Sequence, residues 1–235
     1  MKKLFVLYLL VGMAVFLSVL FSHPWGQSSE EVRKLNQLPL LFSEDFEQGA
    51  DRWRLTDAKA WKIIAESGNH VFSLFQPSKY EPAVRSPRNI ALIKDLCVSD
   101  FVLEAKIKST ARESEHRDLC LFFGWQDPIH FYYVHIATRA DDVANSIFIV
   151  NAAPRVSIAR ERTTGTNWKD GYYHTVRVTR DTTEGTIEVY FDDLTRPTMV
   201  AVDRTFLAGS LGLGSFGNDT GNFDDVRVWG IKMAP

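Results

Sequence analysis

The feature that most constrains this fold is a series of short segments in which apolar and polar residues alternate. The stretch 101–108 shows it best, with Phe101, Leu103, Ala105 and Ile107 alternating with mostly polar residues. A period of two belongs to a β-strand with one face in a core and the other in water. No stretch sustains the 3.6 period of an amphipathic helix. The sequence therefore predicts an all-β domain, with further strands at 119–125, 130–137, 146–150, 155–160, 172–180 and 186–192.

The N-terminus has the order of an export signal. Lys2 and Lys3 precede an apolar run at 4–21 that is interrupted only by Gly12 and Ser18. We predict a signal peptide or signal anchor over 1–28, a polar linker over 29–39 and the β domain over 40–235. The run is longer than the usual apolar region of about 7–15 residues, so cleavage and retention both remain open. Either outcome predicts an exported domain, which is periplasmic, extracellular or anchored outside the cytoplasm.

Charge excludes one class of partner, and cysteine content limits the covalent chemistry. The net charge is -2 and the basic residues are scattered, which argues against nucleic-acid binding and leaves membrane contact to an uncleaved N-terminal segment.

The chain has two cysteines, Cys97 and Cys120, too few for a disulfide framework or a thiolate zinc site. A single bridge and two buried free thiols both remain open.

Three motifs carry a resemblance to known sandwiches. FSEDFE at 42–47 followed by Trp53, and GLGSF at 212–216 followed by FDDVRV at 223–228, resemble the first and last strands of concanavalin A-like jelly rolls. WKDGYYHTVRV at 168–178 is similar to a strand of laminin-G-like domains and of the 3-keto-disaccharide hydrolase domain family. The resemblance spans about 40–230 and implies a two-sheet antiparallel jelly-roll sandwich. It is poorly specific for activity, because this architecture serves lectins, carbohydrate-binding modules and glycan-cleaving enzymes.

The same resemblance implies a structural calcium ion between the first and last strands, where Glu47 and Asp224 are the matching positions. Asp224 has the parity of Val226 and Val228, so we expect it to point inward, where a carboxylate needs a cation or hydrogen-bond donors. Parity places Glu47 on the other side unless a bulge intervenes. We therefore leave two expectations open: Ca²⁺ bound by Glu47 and Asp224, or a metal-free, buried Asp224 held by backbone N–H groups or by an arginine.

Aromatic and polar side chains on two consecutive strands form the densest candidate for a binding surface. Sugars present apolar CH faces flanked by hydroxyls, so a sugar site needs aromatic rings beside polar side chains on a rigid sheet. On 130–137, alternation places Phe131, Tyr133 and His135 opposite the predicted core face, where they would line a groove. The alternative is that the rings fill a core and the charges form a solvated face. The predicted ligand contacts are Arg85, Arg117, Asp118, Gln126, Tyr133, His135, Asn151 and Arg155.

Catalytic signatures are mostly missing. The E-x-D-x-x-E strand of laminarinase-type glycosidases, the G-x-S-x-G elbow, H-E-x-x-H and the P-loop are absent. The sequence therefore favours an exported, non-catalytic domain that binds a carbohydrate or a cell-surface ligand. The alternative is a glycan-cleaving hydrolase of the 3-keto-disaccharide hydrolase type, with His135 and Asp118 or Tyr133 and Arg155 as its acid–base pair. The third hypothesis is a structural adhesion domain without a small-molecule site.

Overall fold

A computed structural model describes residues 37–168 and 171–234, so the predicted signal segment and most of the linker lie outside it. In the described residues, no helix is long and apolar enough to cross a membrane. One 3-10 turn occupies Ala58–Ala60. The described strands are β1 (Leu40–Glu44), β2 (Trp53–Leu55), β3 (Trp61–Glu66), β4 (Asn69–Leu74), β5 (Asn89–Ile93), β6 (Val98–Ser109), β7 (Asp118–Asp127), β8 (His130–Ala137), β9 (Ser146–Asn151), β10 (Val156–Ser157), β11 (Ala159–Arg162), β12 (His174–Asp181), β13 (Thr186–Phe191), β14 (Met199–Val202), β15 (Ser210–Ser215) and β16 (Gly221–Lys232).

These strands form a sandwich of two antiparallel sheets. Within the described residues the larger sheet has nine strands, in the order β11-β14-β13-β12-β6-β16-β4-β3, with β1 also paired to β16. The smaller sheet has seven, in the order β10-β9-β8-β7-β15-β5-β2. The first and last strands lie side by side, as the resemblance to concanavalin A-like jelly rolls implies. The predicted two-sheet fold is therefore confirmed.

The main core lies between the two sheets and follows the predicted alternation. Phe101, Leu103, Ala105 and Ile107 of β6 all contribute to it, each with at most 2% of its surface exposed. Leu119, Leu121 and Phe123 of β7 and Tyr132, Val134 and Ile136 of β8 face it from the smaller sheet. Burying each large apolar side chain contributes about 1.5–3 kcal/mol. This core fixes which side chains of the smaller sheet point to its outer face.

The predicted strand 155–160 is wrong as a single element. The segment forms two short strands, β10 paired with β9 in the smaller sheet and β11 paired with β14 in the larger one. Ile158 lies between them and packs against the main core. When a segment passes from one sheet to the other, its sequence predicts a single strand. Its composition favours β structure throughout and does not indicate where the chain leaves the first sheet.

The predicted inward direction of Asp224 is also wrong. Phe223 is the core residue, and Asp224 pairs with the outward-facing Lys106 of β6. A bulge follows, with a register shift between Asp224 and Arg227 and a left-handed φ of 47° at Asp225. The extra residue reverses the parity, so Val226 returns to the core while Asp224 faces outward.

Candidate functional site

A cleft of about 570 Å³ opens at the end of the smaller sheet where β5 begins and β15 ends. Residues 81–86 and Arg88, which lead into β5, form one wall. Phe216, Gly217 and Asn218, which follow β15, form the other. We call this cavity the Phe216 cleft. Its volume lies in the range of about 300–1,000 Å³ that is usual for small-ligand sites.

Asn89 joins the two walls of the cleft. Its side-chain nitrogen donates to Ser215 Oγ at 2.9 Å and to the Gly217 carbonyl at 2.6 Å. Its side-chain oxygen accepts from Ser78 N at 2.6 Å, and the residue is fully buried. A buried amide with all these partners holds one arrangement of the surrounding backbone. The wall that contains Gly217 is therefore held against the start of β5.

Phe216 is a half-buried aromatic ring that its surroundings hold in place. The Arg155 guanidinium lies 3.8 Å from the ring centroid. The His135 ring stacks with it at 5.7 Å between centroids and 17° between planes. The Phe216 backbone N donates to Asp118 Oδ1 at 2.7 Å. The cleft is thus lined by an aromatic ring whose orientation is fixed from below.

Arg155 organises the layer beneath this ring. One guanidinium nitrogen donates to Tyr133 Oη at 2.6 Å and contacts His135 Nδ1 at 3.1 Å, and the other donates to the Val143 carbonyl at 2.6 Å. An arginine nitrogen can only donate, so Nδ1 of His135 accepts and the ring proton lies on Nε2. That Nε2 lies 3.3 Å from Asp118 Oδ2, without hydrogen-bond geometry.

Two neighbouring carboxylates have different proton affinities. Burial raises the pKa of Asp118, but His135 and hydrogen bonds from Phe216 N and Cys120 Sγ outweigh it, so the pKa lies below its ordinary value. Asp219 accepts from Asp118 N at 3.0 Å. Burial first, and then the charge of Asp118, raise the pKa of Asp219 to about 6. Asp219 is therefore the carboxylate that takes a proton first as pH falls.

Two other ionisable groups of this layer, Cys120 and Tyr133, have raised pKa values. Burial, and then the nearby Asp118, raise the pKa of the Cys120 thiol well above its ordinary value. Burial likewise raises the pKa of Tyr133 well above its usual range. Both cysteines are free, which decides the open question of a bridge between Cys97 and Cys120. Neither Cys120 nor Tyr133 is set up as an anionic nucleophile or base at neutral pH.

The structure brings most of the predicted ligand contacts to this end of the smaller sheet. Arg85 lines the cleft, and Asp118, Tyr133, His135 and Arg155 form the layer below it. Tyr133 and His135 point away from the main core, as predicted. They are 0% and 3% exposed, however, so the prediction that they line an open groove is wrong. An apolar cluster that includes Tyr133 and Phe148, with Val84 and Phe216 packed on it, occupies that face instead.

The other three predicted contacts lie neither in the cleft lining nor among the contacts described for the layer below it. Arg117 is buried beside Asp118, at the start of β7. Gln126 is eight residues further along β7, roughly 26 Å away at the rise of an extended strand. Asn151 pairs with His130, also at the far end of the sheet. The predicted set therefore divides between the two ends of one sheet.

Sequence reasoning missed Phe216, Arg88, Glu81 and Asn218, which line the cleft. The available signal was the polar run GNDTG at 217–221 directly after the β15 motif, since exposed polar loops at strand ends commonly carry binding residues. The other wall had no comparable signal, because residues 75–88 have no regular secondary structure. Their position over the sheet follows from tertiary contacts alone.

The predicted calcium ligands lie elsewhere. Glu47 accepts from the backbone N and ring Nδ1 of His70, at 2.7 and 2.8 Å. Asp224 accepts from Asn69 Nδ2 at 2.7 Å and from Asp225 N at 2.8 Å. An ion there would have to displace these donors, and within residues 37–168 and 171–234 no group of three His, Cys, Asp or Glu is placed to hold a metal. Calcium at Glu47 and Asp224 stays a prediction.

Neither the protein-family models nor the curated proteins match the sequence. Solved structures do match. Lectin I from Ulex europaeus, complexed with the methyl glycoside of α-L-fucose, is 13% identical with a TM-score of 0.55, over 81% of this chain and 97% of the lectin. The chain has the concanavalin A-like jelly-roll fold.

Two bacterial structures share this jelly roll. The carbohydrate-binding module CBM66 from Bacillus subtilis is 16% identical with a TM-score of 0.52, over 76% of this chain and 95% of the module. A protein of unknown function with a galectin-like fold, also from Bacillus subtilis, is 11% identical with a TM-score of 0.54, over 81% and 96% of the two chains. At these identities the likeness shows the fold alone. The narrower resemblance to 3-keto-disaccharide hydrolases is not confirmed.

Proposed function

We propose that this domain binds a carbohydrate in the Phe216 cleft and does not cleave it. The observation that carries the proposal is the fixed aromatic ring of Phe216 beside polar side chains that reach into the same cavity, namely Arg85, Arg88, Glu81 and Asn218. A sugar can lay its CH face on the ring while its hydroxyls exchange hydrogen bonds with guanidinium, carboxylate and amide groups. The volume of the cleft suits one or two sugar rings.

The jelly-roll relatives agree with this proposal. One is a carbohydrate-binding module, and the Ulex europaeus lectin is in complex with a fucoside. The fold also serves other functions, so the argument rests on the cleft and uses the relatives as support.

The rival hypothesis, a glycan-cleaving hydrolase, needs an acid–base pair that touches the ligand. His135 and Asp118 lie 3.3 Å apart and could exchange a proton, but both are at most 3% exposed, beneath Phe216. The Tyr133 hydroxyl accepts a hydrogen bond from Arg155, and Tyr133 is fully buried. A sugar in the cleft would contact none of these groups without displacement of Phe216. This geometry favours binding without turnover.

A glycan array, followed by titration calorimetry on the glycans it identifies, tests the proposal. The protein is used as isolated, in a sugar-free detergent if the N-terminal segment is retained. We expect Phe216→Leu to weaken binding at least about tenfold, because leucine keeps apolar volume but removes the aromatic face. Phe75→Leu is the control, since Phe75 is an exposed ring outside the cleft. Equal affinities in the two variants would contradict the proposed site.

Product analysis on the bound glycans separates binder from enzyme. Intact glycans after prolonged incubation are the expected result. Cleavage that is lost in His135→Gln, with the melting temperature preserved, would establish the hydrolase instead.

We further propose that the domain acts outside the cytoplasm. The charged-then-apolar order of residues 1–28 supports export. The test is a protease-protection assay on intact cells and on spheroplasts, together with N-terminal sequencing of the mature protein. Full protection from external protease in spheroplasts would overturn export, and the sequenced N-terminus distinguishes a cleaved peptide from an anchor.

A further inference from the structure

Two guanidinium groups in the Phe216 cleft form no ion pair within the described residues. Arg85 and Arg88 are both exposed and both line the cavity. Within the described residues neither forms an ion pair, although arginines elsewhere do, such as Arg139 with Glu115 and Arg177 with Glu104. Glu81 is the one acidic residue among the described residues that line the cleft. The lining therefore carries an excess of positive charge.

The backbone holds both arginines at the cleft. Arg88 N donates to the Phe216 carbonyl at 3.2 Å, and the Arg85 carbonyl accepts from Arg155 N at 3.0 Å. The Arg85 guanidinium lies 5.9 Å from the Phe216 ring centroid. A sugar ring stacked on Phe216 would place its substituents beside this guanidinium. Arg155 has fewer donors left for the same ligand, because three of its five N–H groups are directed to Tyr133, His135 and Val143.

We propose that the cleft selects an acidic saccharide, one whose sugar ring carries a carboxylate or a sulfate ester. This inference rests on the proposed carbohydrate-binding function and names its ligand class. The planar fork of arginine matches carboxylate and sulfate oxygens with two parallel N–H donors, whereas neutral hydroxyls gain less from a full charge. Two unpaired guanidinium groups beside a stacking ring therefore discriminate in favour of anionic sugars.

The test compares matched pairs of oligosaccharides that differ in charge alone. Oligogalacturonides and their methyl esters report on the carboxylate, and κ-carrageenan oligosaccharides before and after desulfation report on the sulfate ester. We expect the charged member of at least one pair to bind at least about tenfold more tightly, with the preference decreasing as salt is raised. Which pair shows the preference identifies the anionic group.

Variants locate the preference in the cleft. Arg85→Gln and Arg88→Gln should each reduce the charged-over-neutral ratio by about tenfold, and the lysine variants should reduce it less, since lysine keeps the charge but lacks the fork. Arg160→Gln is the matched control, because Arg160 is an exposed arginine on β11 of the other sheet. Melting curves verify that each variant is folded.

Failure of this inference is distinguishable from failure of the proposed function. Binding of neutral glycans with no preference for the charged members overturns the acidic-saccharide inference and leaves carbohydrate binding standing. A charge preference that survives in both glutamine variants also overturns it. Absence of binding to every glycan overturns both.

Discussion

Replacement of Arg155 by methionine tests whether the layer beneath the cleft is held together by one guanidinium. Methionine matches arginine in length only as far as Nε, so the change removes the guanidinium that lies over Phe148 and Phe216, with its charge and donors, and keeps the apolar stem. The variant loses the donor to Tyr133 Oη, whose residue is fully buried, and the donor to the Val143 carbonyl.

The magnitude follows from these contacts. Each of the two short hydrogen bonds contributes about 1 kcal/mol, discounted because Arg155 is partly exposed, and the contacts with two rings add about 1 kcal/mol. We therefore expect Arg155→Met to lower the free energy of unfolding by about 3 kcal/mol. For a domain of this size, the melting temperature should fall by roughly 6–12 °C.

Urea unfolding followed by tryptophan fluorescence measures this change. Arg160→Met, which alters an exposed arginine, should remain within about 0.5 kcal/mol of the parent. A double-mutant cycle with Tyr133→Phe should give a coupling energy of about 1–2 kcal/mol for the Arg155–Tyr133 hydrogen bond. An Arg155→Met variant as stable as Arg160→Met, or a coupling energy near zero, would refute the reasoning.

Four further predictions concern the cleft walls, the carboxylates, calcium and the thiols. Gly214→Ala should destabilise the fold by about 3 kcal/mol or more, because its Cβ would lie 1.7 Å from the Asn89 carbonyl oxygen, whereas Gly217→Ala, with nothing within 4 Å, should be nearly neutral in urea unfolding. Because the pKa of Asp219 is raised to about 6, the folded state binds more protons than the unfolded state between about pH 4 and 6, so this group's contribution to stability is lost as pH rises through that window. Asp219→Asn should therefore be more stable than the parent above pH 6, and parallel melting temperatures across pH would contradict this. If the predicted calcium site is occupied, chelator should lower the melting temperature, and an unchanged midpoint would remove the site. Thiol titration should find Cys120 unreactive in the native protein and both cysteines reactive in denaturant; no reactive thiol in denaturant would show a disulfide.

The sequence predicts the fold well where independent local signals agree. The 130–137 strand coincides with β8, because alternation and flanking turn residues agree there. The predicted strands do not include the β3–β4 hairpin. In the structure its Ser67-Gly68 turn has positive φ at both residues, the geometry of a tight two-residue hairpin loop. The parity of Asp224 fails because a bulge cannot be read from composition.

The candidate site was predictable in part, for a similar reason. Alternation along the strand correctly predicts that Tyr133 and His135 face away from the main core, because alternation is a local property of a strand. Whether that face meets water depends on segments far away in sequence, the loops around Val84 and Phe216. The sequence therefore pointed to the correct sheet face and missed the residues that line the cleft above it.

The most direct test of the central claim is a structure of the protein with the tightest glycan from the array. We predict a sugar ring against Phe216, with polar contacts from Arg85, Arg88 or Asn218, and with Arg155 and His135 still beneath the ring. A saccharide bound at the far end of the smaller sheet, near Gln126 and Asn151, or on the outer face of the larger sheet would contradict the account.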